Sequence, residues 1–196
     1  MILPVLKYGH PILRQKGARI DEITAEMRHL ISDMKETMHA AKGIGLAAQQ
    51  VGKALQLAVV DVRAVTDRPS TLHLSGQPAE VADFMPVILI NPQVTPVAEP
   101  VAGPEGCLSF PEIYAEISRP ESVEVTATNE KGKKFTFRCG GLLARAIQHE
   151  VDHLNGILFI DRMSTEIRQE LKPELDELQT STKEALKKKI KTCNPL

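Results

Sequence analysis

Apolar residues recur along the chain with two different periods, and the switches between them mark out its elements. Ile23, Met27, Leu30, Ile31, Met34 and Met38 fall at intervals that put side chains on one face of a helix. Thr24 is placed to cap this helix and Gly43 to stop it, and the methionine stripe reads as core. Residues 1–20 ahead of it read as an irregular or partly extended lead-in. The apolar runs at 55–60 and 86–90 predict buried strands, the second closed by Asn91-Pro92 as a turn signal. Between them residues 63–85, with Pro69, Gly76 and Pro78 among polar groups, read as a surface loop or insertion. A Pro/Gly-rich passage follows, then strands at 122–128 and 133–138, joined as a hairpin through Asn129-Glu130-Lys131-Gly132. Gly140-Gly141 breaks the chain before a helix over 142–155, which Gly156 is placed to end. Residues 157–160 read as a short strand, and about 164–192 as a charged C-terminal helix. The sum is an α+β fold: antiparallel or mixed β-sheets packed around a central helix, with N-terminal and C-terminal helices, in a single domain over 1–196.

The central helix carries the chemistry. Its segment Gln148-His149-Glu150-Val151-Asp152-His153 contains the pattern H-E-x-x-H. Residues four apart lie one above the other, so His149 and His153 can aim ring nitrogens at one divalent metal ion. Glu150, rotated by roughly 100° around the helix, reaches a water beside the ion rather than the ion itself, which suits a base. A hydrolytic metal takes three protein ligands and leaves a position for water, whose pKa falls towards about 7. Three cysteines can supply the third ligand. Cys107 is favoured, because Pro104-Glu105-Gly106-Cys107-Leu108-Ser109-Phe110-Pro111 has a backbone restricted enough to hold a thiol at a set angle; the alternative is a small buried hydrophobe. Cys139 and Cys193 read as structural or free thiols. A purely structural metal site stays open at this stage.

Composition narrows the class. With 196 residues and 42% hydrophobic content the chain can bury one sizeable core. A net charge of -1 supplies no basic field for nucleic acid. Three cysteines without a framework of close spacings fit a reducing compartment. No apolar run approaches the roughly 18 to 20 residues that cross a bilayer, and the N-terminus lacks a signal-peptide core. The expectation is a soluble, cytoplasmic protein without membrane partners.

Gly43-Ile44-Gly45-Leu46-Ala47-Ala48-Gln49-Gln50 satisfies G-x-G-x-x-A, and Asp61 follows as a ribose-binding acid would. The order of elements speaks against a dinucleotide site, since a helix precedes this turn and a strand follows, the reverse of the Rossmann arrangement. A turn with two glycines and small alanines instead allows close backbone approach, so it can line a cleft and hold Gln50 within it.

Taken together and in order, G-I-G-L-A-A-Q-Q at 43–50, E-G-C-L-S at 105–109 and Q-H-E-V-D-H at 148–153 resemble the three motifs of peptide deformylases. The resemblance is anchored from Gly43 to Gly156, with Gln49 standing where the family often has proline or threonine. It implies removal of the formyl group from N-terminal formyl-methionine of nascent polypeptides, with release of formate. It also implies one ferrous ion, replaceable by zinc, nickel or cobalt; one thiolate and two imidazoles suit iron or zinc equally. Cys107, His149 and His153 are then the ligands and Glu150 the general base and acid. The Gln50 amide and the Leu108 backbone N–H become the oxyanion donors. Ile44, Gly45, Phe110, Leu142 and Ala146 are expected to receive the methionine side chain and peptide backbone. Glu105 and Asp152 are placed to orient the ligands or pair with Arg119, against the alternative of surface carboxylates. The lysines at 183, 187, 188, 189 and 191 suit a solvated face, or contact with the ribosome that presents the substrate. Two competitors remain. A zinc peptidase would usually take a further ligand after the helix, but His153 is the last histidine. A metal-stabilised binding protein would have no use for Glu150 and Gln50.

Overall fold

The computed structural model describes residues 1–193, with side chains described to residue 188. The side chains of Lys189, Lys191 and Cys193, named above, lie outside the described residues. Helix α1 (Ala25–Ala40) is capped by Thr24, whose side chain accepts from the Met27 N–H. Its stop differs from expectation. Lys42 takes the left-handed turn at φ 54°, and the Gly43 N–H closes back on the Met38 carbonyl, so Gly43 completes the stop without being its left-handed residue.

After α1 come β1 (Gly45–Ala47), a 3-10 turn (Ala48–Val51), β2 (Leu57–Val60), β3 (Ser70–Leu74), β4 (Gln77–Pro78) and α2 (Val81–Phe84). They are followed by β5 (Val87–Pro96), β6 (Pro100–Cys107), β7 (Phe110–Pro120), β8 (Ser122–Thr128) and β9 (Lys134–Gly140). Helix α3 (Gly141–Leu154), a 3-10 turn (Phe159–Asp161), α4 (Thr165–Glu170) and α5 (Lys172–Cys193) complete the chain. One sheet has the order β1-β2-β5-β8-β9-β3-β4, and β6-β7 form a separate ribbon. Every pairing between these strands is antiparallel.

Strands β2 and β5 are continuous apolar runs because both of their faces are covered. Val60, Val87 and Leu89 pack with Leu142, Leu143 and Ile147 of α3. Val59, Ile88 and Ile90 point the other way, towards Ile31, Met34 and Met38 of α1. In β8 the burial alternates, since Val123, Val125 and Ala127 face the core while Glu124 is exposed. The helix bearing the two histidines is thus held against the middle of the sheet. Its end is fixed by Gly156 at φ 73°, where an added Cβ would stand 2.5 Å from the Arg14 carbonyl oxygen.

Five expectations require correction. Residues 63–85 are not a loop: β3 pairs with β9, Leu72 is buried, and the β3-β4 turn is made by Ser75 and Gly76, both with positive φ. Asn91-Pro92 does not end its strand. Asn91 adopts φ 51° inside an irregularity of β5, and its amide donates to the Ile20 carbonyl and accepts from the Ile20 N–H, so the pairing resumes at Gln93. The Pro/Gly-rich passage is β6, where proline is tolerated because a two-stranded ribbon leaves one edge of each strand free. Residues 157–160 form no strand; Leu158, Phe159 and Ile160 plug a third cluster with Leu13, Phe110 and Ile117. The C-terminal helix is two helices, interrupted at Leu171 just ahead of Pro173, which lacks the N–H to continue the ladder.

Candidate metal centre

His149 and His153 project from one face of α3, their ring centroids 5.1 Å apart. Both are buried. Cys107 arrives from the end of β6, with Sγ 3.3 Å from His153 Nε2. One ligand atom from each of the three residues lies within 4.8 Å of the other two. Donors about 2.0 to 2.3 Å from a common ion stand roughly 3 to 4.5 Å apart, so this set fits a metal ion.

Glu105, on β6, fixes the ring of His149. Its Oε2 is 3.0 Å from His149 Nδ1 and, as an ionised carboxylate, can only accept, which leaves Nε2 as the nitrogen free for a ligand bond. Burial works against that ionisation, yet the bonds from His149 and Arg119 hold the Glu105 carboxyl down at about 2. Arg119 grips it with two nitrogens at 2.6 and 3.0 Å and reaches Asp152 at 2.8 Å. Asp152 in turn accepts from Arg162 at 2.6 Å. Arg145 of α3 adds a bond to Glu105 at 2.9 Å and donates to the carbonyls of Ile117 and Val101 at 2.7 Å each. Glu105, Asp152 and Arg119 are thus members of a buried ionic network rather than surface charges. Burial also opposes charge on the histidines. Bonds to Cys107 and Glu105 nevertheless raise His149 well above the usual imidazole range, while burial and the neighbouring His149 push His153 well below it.

Glu150 faces the cavity from the same helix. Burial pushes its carboxyl up to about 7, with His149 and Arg119 pulling the other way. Its Oε2 is buried and has no hydrogen-bond partner among the described residues. The group has room only because residue 45 is glycine, since a Cβ there would stand 2.2 Å from Glu150 Oε1.

The Gln50 amide is oriented by the backbone. Its Oε1 accepts from the Ala47 N–H at 2.8 Å, which turns Nε2 towards Ser109 Oγ at 3.2 Å and Cys107 Sγ at 3.5 Å. The turn at Leu108 and Ser109 is pinned from the lead-in. Lys7 Nζ donates to the Leu108 carbonyl at 2.7 Å and the Tyr8 N–H to the Ser109 carbonyl at 2.9 Å.

A cavity of about 470 Å³ opens over this centre, and Ile44, Gly45, Phe110, Leu142 and Ala146 all line it. Gln50, Leu108, Cys107, His149 and Glu150 share its wall, whereas His153, Asp152 and Arg119 stand outside the lining. The free edge of β1, whose one partner strand among the described residues is β2, runs beside it. Asp61 is committed elsewhere, to His39 at 3.0 Å and Arg63 at 2.6 Å, so the G-x-G-x-x-A turn has no ribose acid. Sequence reasoning missed Lys7, Ser109, Arg145 and Arg162. Ser109 lay inside a quoted motif and Arg145 on the central helix one turn ahead of His149, while nothing local marked Lys7 or Arg162.

Comparison with known proteins agrees with this geometry. The family model described as polypeptide deformylase matches residues 2–169. The chain is 45% identical over 178 residues to the peptide deformylase of Methylacidiphilum infernorum, covering 91% of this chain and 93% of that one. It is 43% identical over 189 residues to that of Opitutus terrae, covering 95% and 98%. Among solved structures, peptide deformylase 1B of Arabidopsis thaliana in complex with an inhibitor superposes with a TM-score of 0.80 at 36% identity, covering 93% of each chain. The peptide deformylase of Legionella pneumophila superposes with a TM-score of 0.75 at 30% identity over 100% of both chains. The chain belongs to the peptide deformylase family.

Proposed function

We propose that Cys107, His149 and His153 hold one divalent ion, at which this chain hydrolyses the formyl group from N-formyl-methionyl peptides and nascent chains. Ferrous iron is the expected native metal, with zinc, nickel or cobalt able to replace it. The observation that carries the reading is the convergence of one thiol and two imidazoles beside a buried carboxyl that has an unpartnered oxygen. When bound, the ion supplies Lewis acidity that makes a water nucleophilic near neutral pH.

The chain's own groups do the rest. Glu150 accepts the proton of the attacking water through Oε2, its carboxyl poised near neutrality by burial. The nucleophile adds to the formyl carbon, and negative charge gathers on the formyl oxygen. Gln50 Nε2 and the Leu108 N–H donate to that oxygen; each such donor is typically worth about 3 to 4 kcal/mol in the barrier. Gln50 is held before substrate arrives by the Ala47 N–H, and Lys7 pins the Leu108 carbonyl, one peptide beyond the Leu108 N–H. Glu150 then hands its proton to the departing amine, and formate and a free N-terminus result. Leu142 and Ala146, with Ile44, offer an apolar wall to the methionine side chain, while the open edge of β1, beginning at Gly45, is offered to the peptide backbone. The formyl carbon bears only hydrogen, so a narrow cleft favours it over bulkier acyl groups.

The test is formate release from a formyl-methionyl peptide by protein prepared without oxygen. Glu150→Gln is expected to keep its metal by elemental analysis and to lose turnover by about 10²- to 10⁴-fold; full turnover would remove Glu150 from the mechanism. Contact of α5 with the ribosome is a further part of the reading, motivated by its lysines. Cosedimentation with ribosomes that survives truncation at residue 164 would refute it. No helix among the described residues is long and apolar enough to cross a membrane.

A further inference from the structure

We propose that Lys42 and Arg68 form a carboxylate-reading rim, which makes this chain favour formyl-methionyl peptides carrying Asp or Glu at the second or third residue. This rests on the deformylase reading above and adds a substrate preference to it. Four cationic side chains line the cavity: Lys7, Lys42, Arg68 and Arg145. Two are engaged, Lys7 by the Leu108 carbonyl and Arg145 by Glu105 and three backbone carbonyls. Neither Lys42 nor Arg68 has a carboxylate within ion-pair distance among the described residues. Of the acids in the lining, Glu105 is paired and Glu150 is assigned to the chemistry, which leaves Glu112 as the opposing rim charge.

Both cations stand on fixed backbone. Arg68 immediately precedes Pro69, whose carbonyl accepts from the Leu142 N–H at 3.0 Å, and Ser70 Oγ accepts from the Leu143 N–H at 3.1 Å. The segment therefore caps the first turn of α3, and Gly141 is required there because a Cβ would stand 2.2 Å from the Pro69 oxygen. Leu142, one of the residues so capped, shares the cavity wall with Arg68. Lys42 is held by the turn that ends α1, three positions ahead of β1. A peptide that pairs along the free edge of β1 advances about 3.3 Å per residue. With its methionine in the cavity beside Ile44 and Gly45, a peptide running antiparallel to β1 carries its next residues towards the Lys42 end of that strand. A guanidinium and an ammonium without a carboxylate partner among the described residues attract a carboxylate there and repel a lysine.

The experiment measures formate release from formyl-Met-Ala-X amides with X as Glu, Gln or Lys, and from the matching series with X at the second position. Expected is a Glu-to-Gln ratio in kcat/KM of about two to five, carried by KM, with Lys below Gln. The ratio does not depend on how much of each preparation is folded. It should fall towards one in Arg68→Ala and in Lys42→Ala, and Arg68→Glu should favour the Lys peptide. It should also shrink in about 0.5 M salt, where the screening length is on the order of 4 Å. Comparing the Gln peptide as amide and as free acid separates a side-chain carboxylate from a terminal one; a preference seen only for the free acid would overturn the assignment to residue side chains. Equal rates for Glu, Gln and Lys, or a ratio unchanged in Arg68→Glu, would overturn the rim while leaving deformylation intact. Absence of formate from every peptide would instead sink the deformylase reading itself.

Discussion

Replacing Glu105 with Gln tests whether the ionic network behind His149 stabilises the fold as well as orienting the ring. Glu105 is 7% exposed and its carboxyl is held at about 2 against an ordinary 4.5. At about 1.4 kcal/mol per tenfold change in the proton equilibrium, that difference gives the ionised group about 3 kcal/mol of stability at neutral pH. An independent route gives a similar size, since removing one partner of a buried ion pair leaves the other charge uncompensated at a cost of about 3 to 5 kcal/mol. Because folding depresses this pKa, the stability is complete above the unfolded value of 4.5 and is lost as pH falls towards 2. Denaturant unfolding of wild type and Glu105→Gln should therefore differ by about 3 kcal/mol at neutral pH, and the gap should narrow by about 1 kcal/mol by pH 3.5. Metal affinity should fall about 10- to 100-fold, because Gln holds the His149 ring less firmly and leaves Arg119 and Arg145 without their carboxylate. A gap under about 1 kcal/mol at neutral pH, or one that stays constant down to pH 3.5, would refute the account of Glu105 as a buried, ionised brace.

Two further substitutions probe the centre. Gly45→Ala places a Cβ where Glu150 Oε1 now lies, so kcat should fall by at least about tenfold while elemental analysis finds full metal content; near-normal kcat would show that Glu150 can move aside and still act. Cys107→Ser exchanges a soft thiolate for a hydroxyl and should weaken metal retention in a chelator competition; unchanged affinity would exclude Cys107 as a ligand.

The parts of the site that were legible were those set by local geometry or by a compact motif. His149, Glu150 and His153 were readable because a helix fixes their relation within one turn. Gln50 was readable from its glycine-rich turn, although the bond from the Ala47 N–H that aims its amide was not. Lys7 could not be found, since it meets the Leu108 carbonyl across 101 positions and lies on a segment without period. The ribbon strand β6 was hidden by Pro100, Gly103, Pro104 and Gly106, which signal a break in a chain read alone but are compatible with an edge. Likewise the apolar residues at 158–160 matched a strand by composition, and only the crowd of Leu13, Phe110 and Ile117 around them explains a 3-10 turn. The α+β architecture survived these errors because the long apolar runs of β2 and β5 and the two amphipathic helices dictate the layers.

The ribbon that brings Cys107 to the centre shares no ladder with the larger sheet, so the span from sulfur to imidazoles is not ruled by peptide geometry. Side-chain bonds between ribbon and helix set it instead, among them Arg119 reaching Asp152 at 2.8 Å and Arg145 reaching Glu105 at 2.9 Å. A guanidinium fork constrains angle as well as length. The ribbon is therefore gauged against the helix like a workpiece in a clamp with two jaws, and lysine at either arginine would keep the charge while letting the jaws swivel.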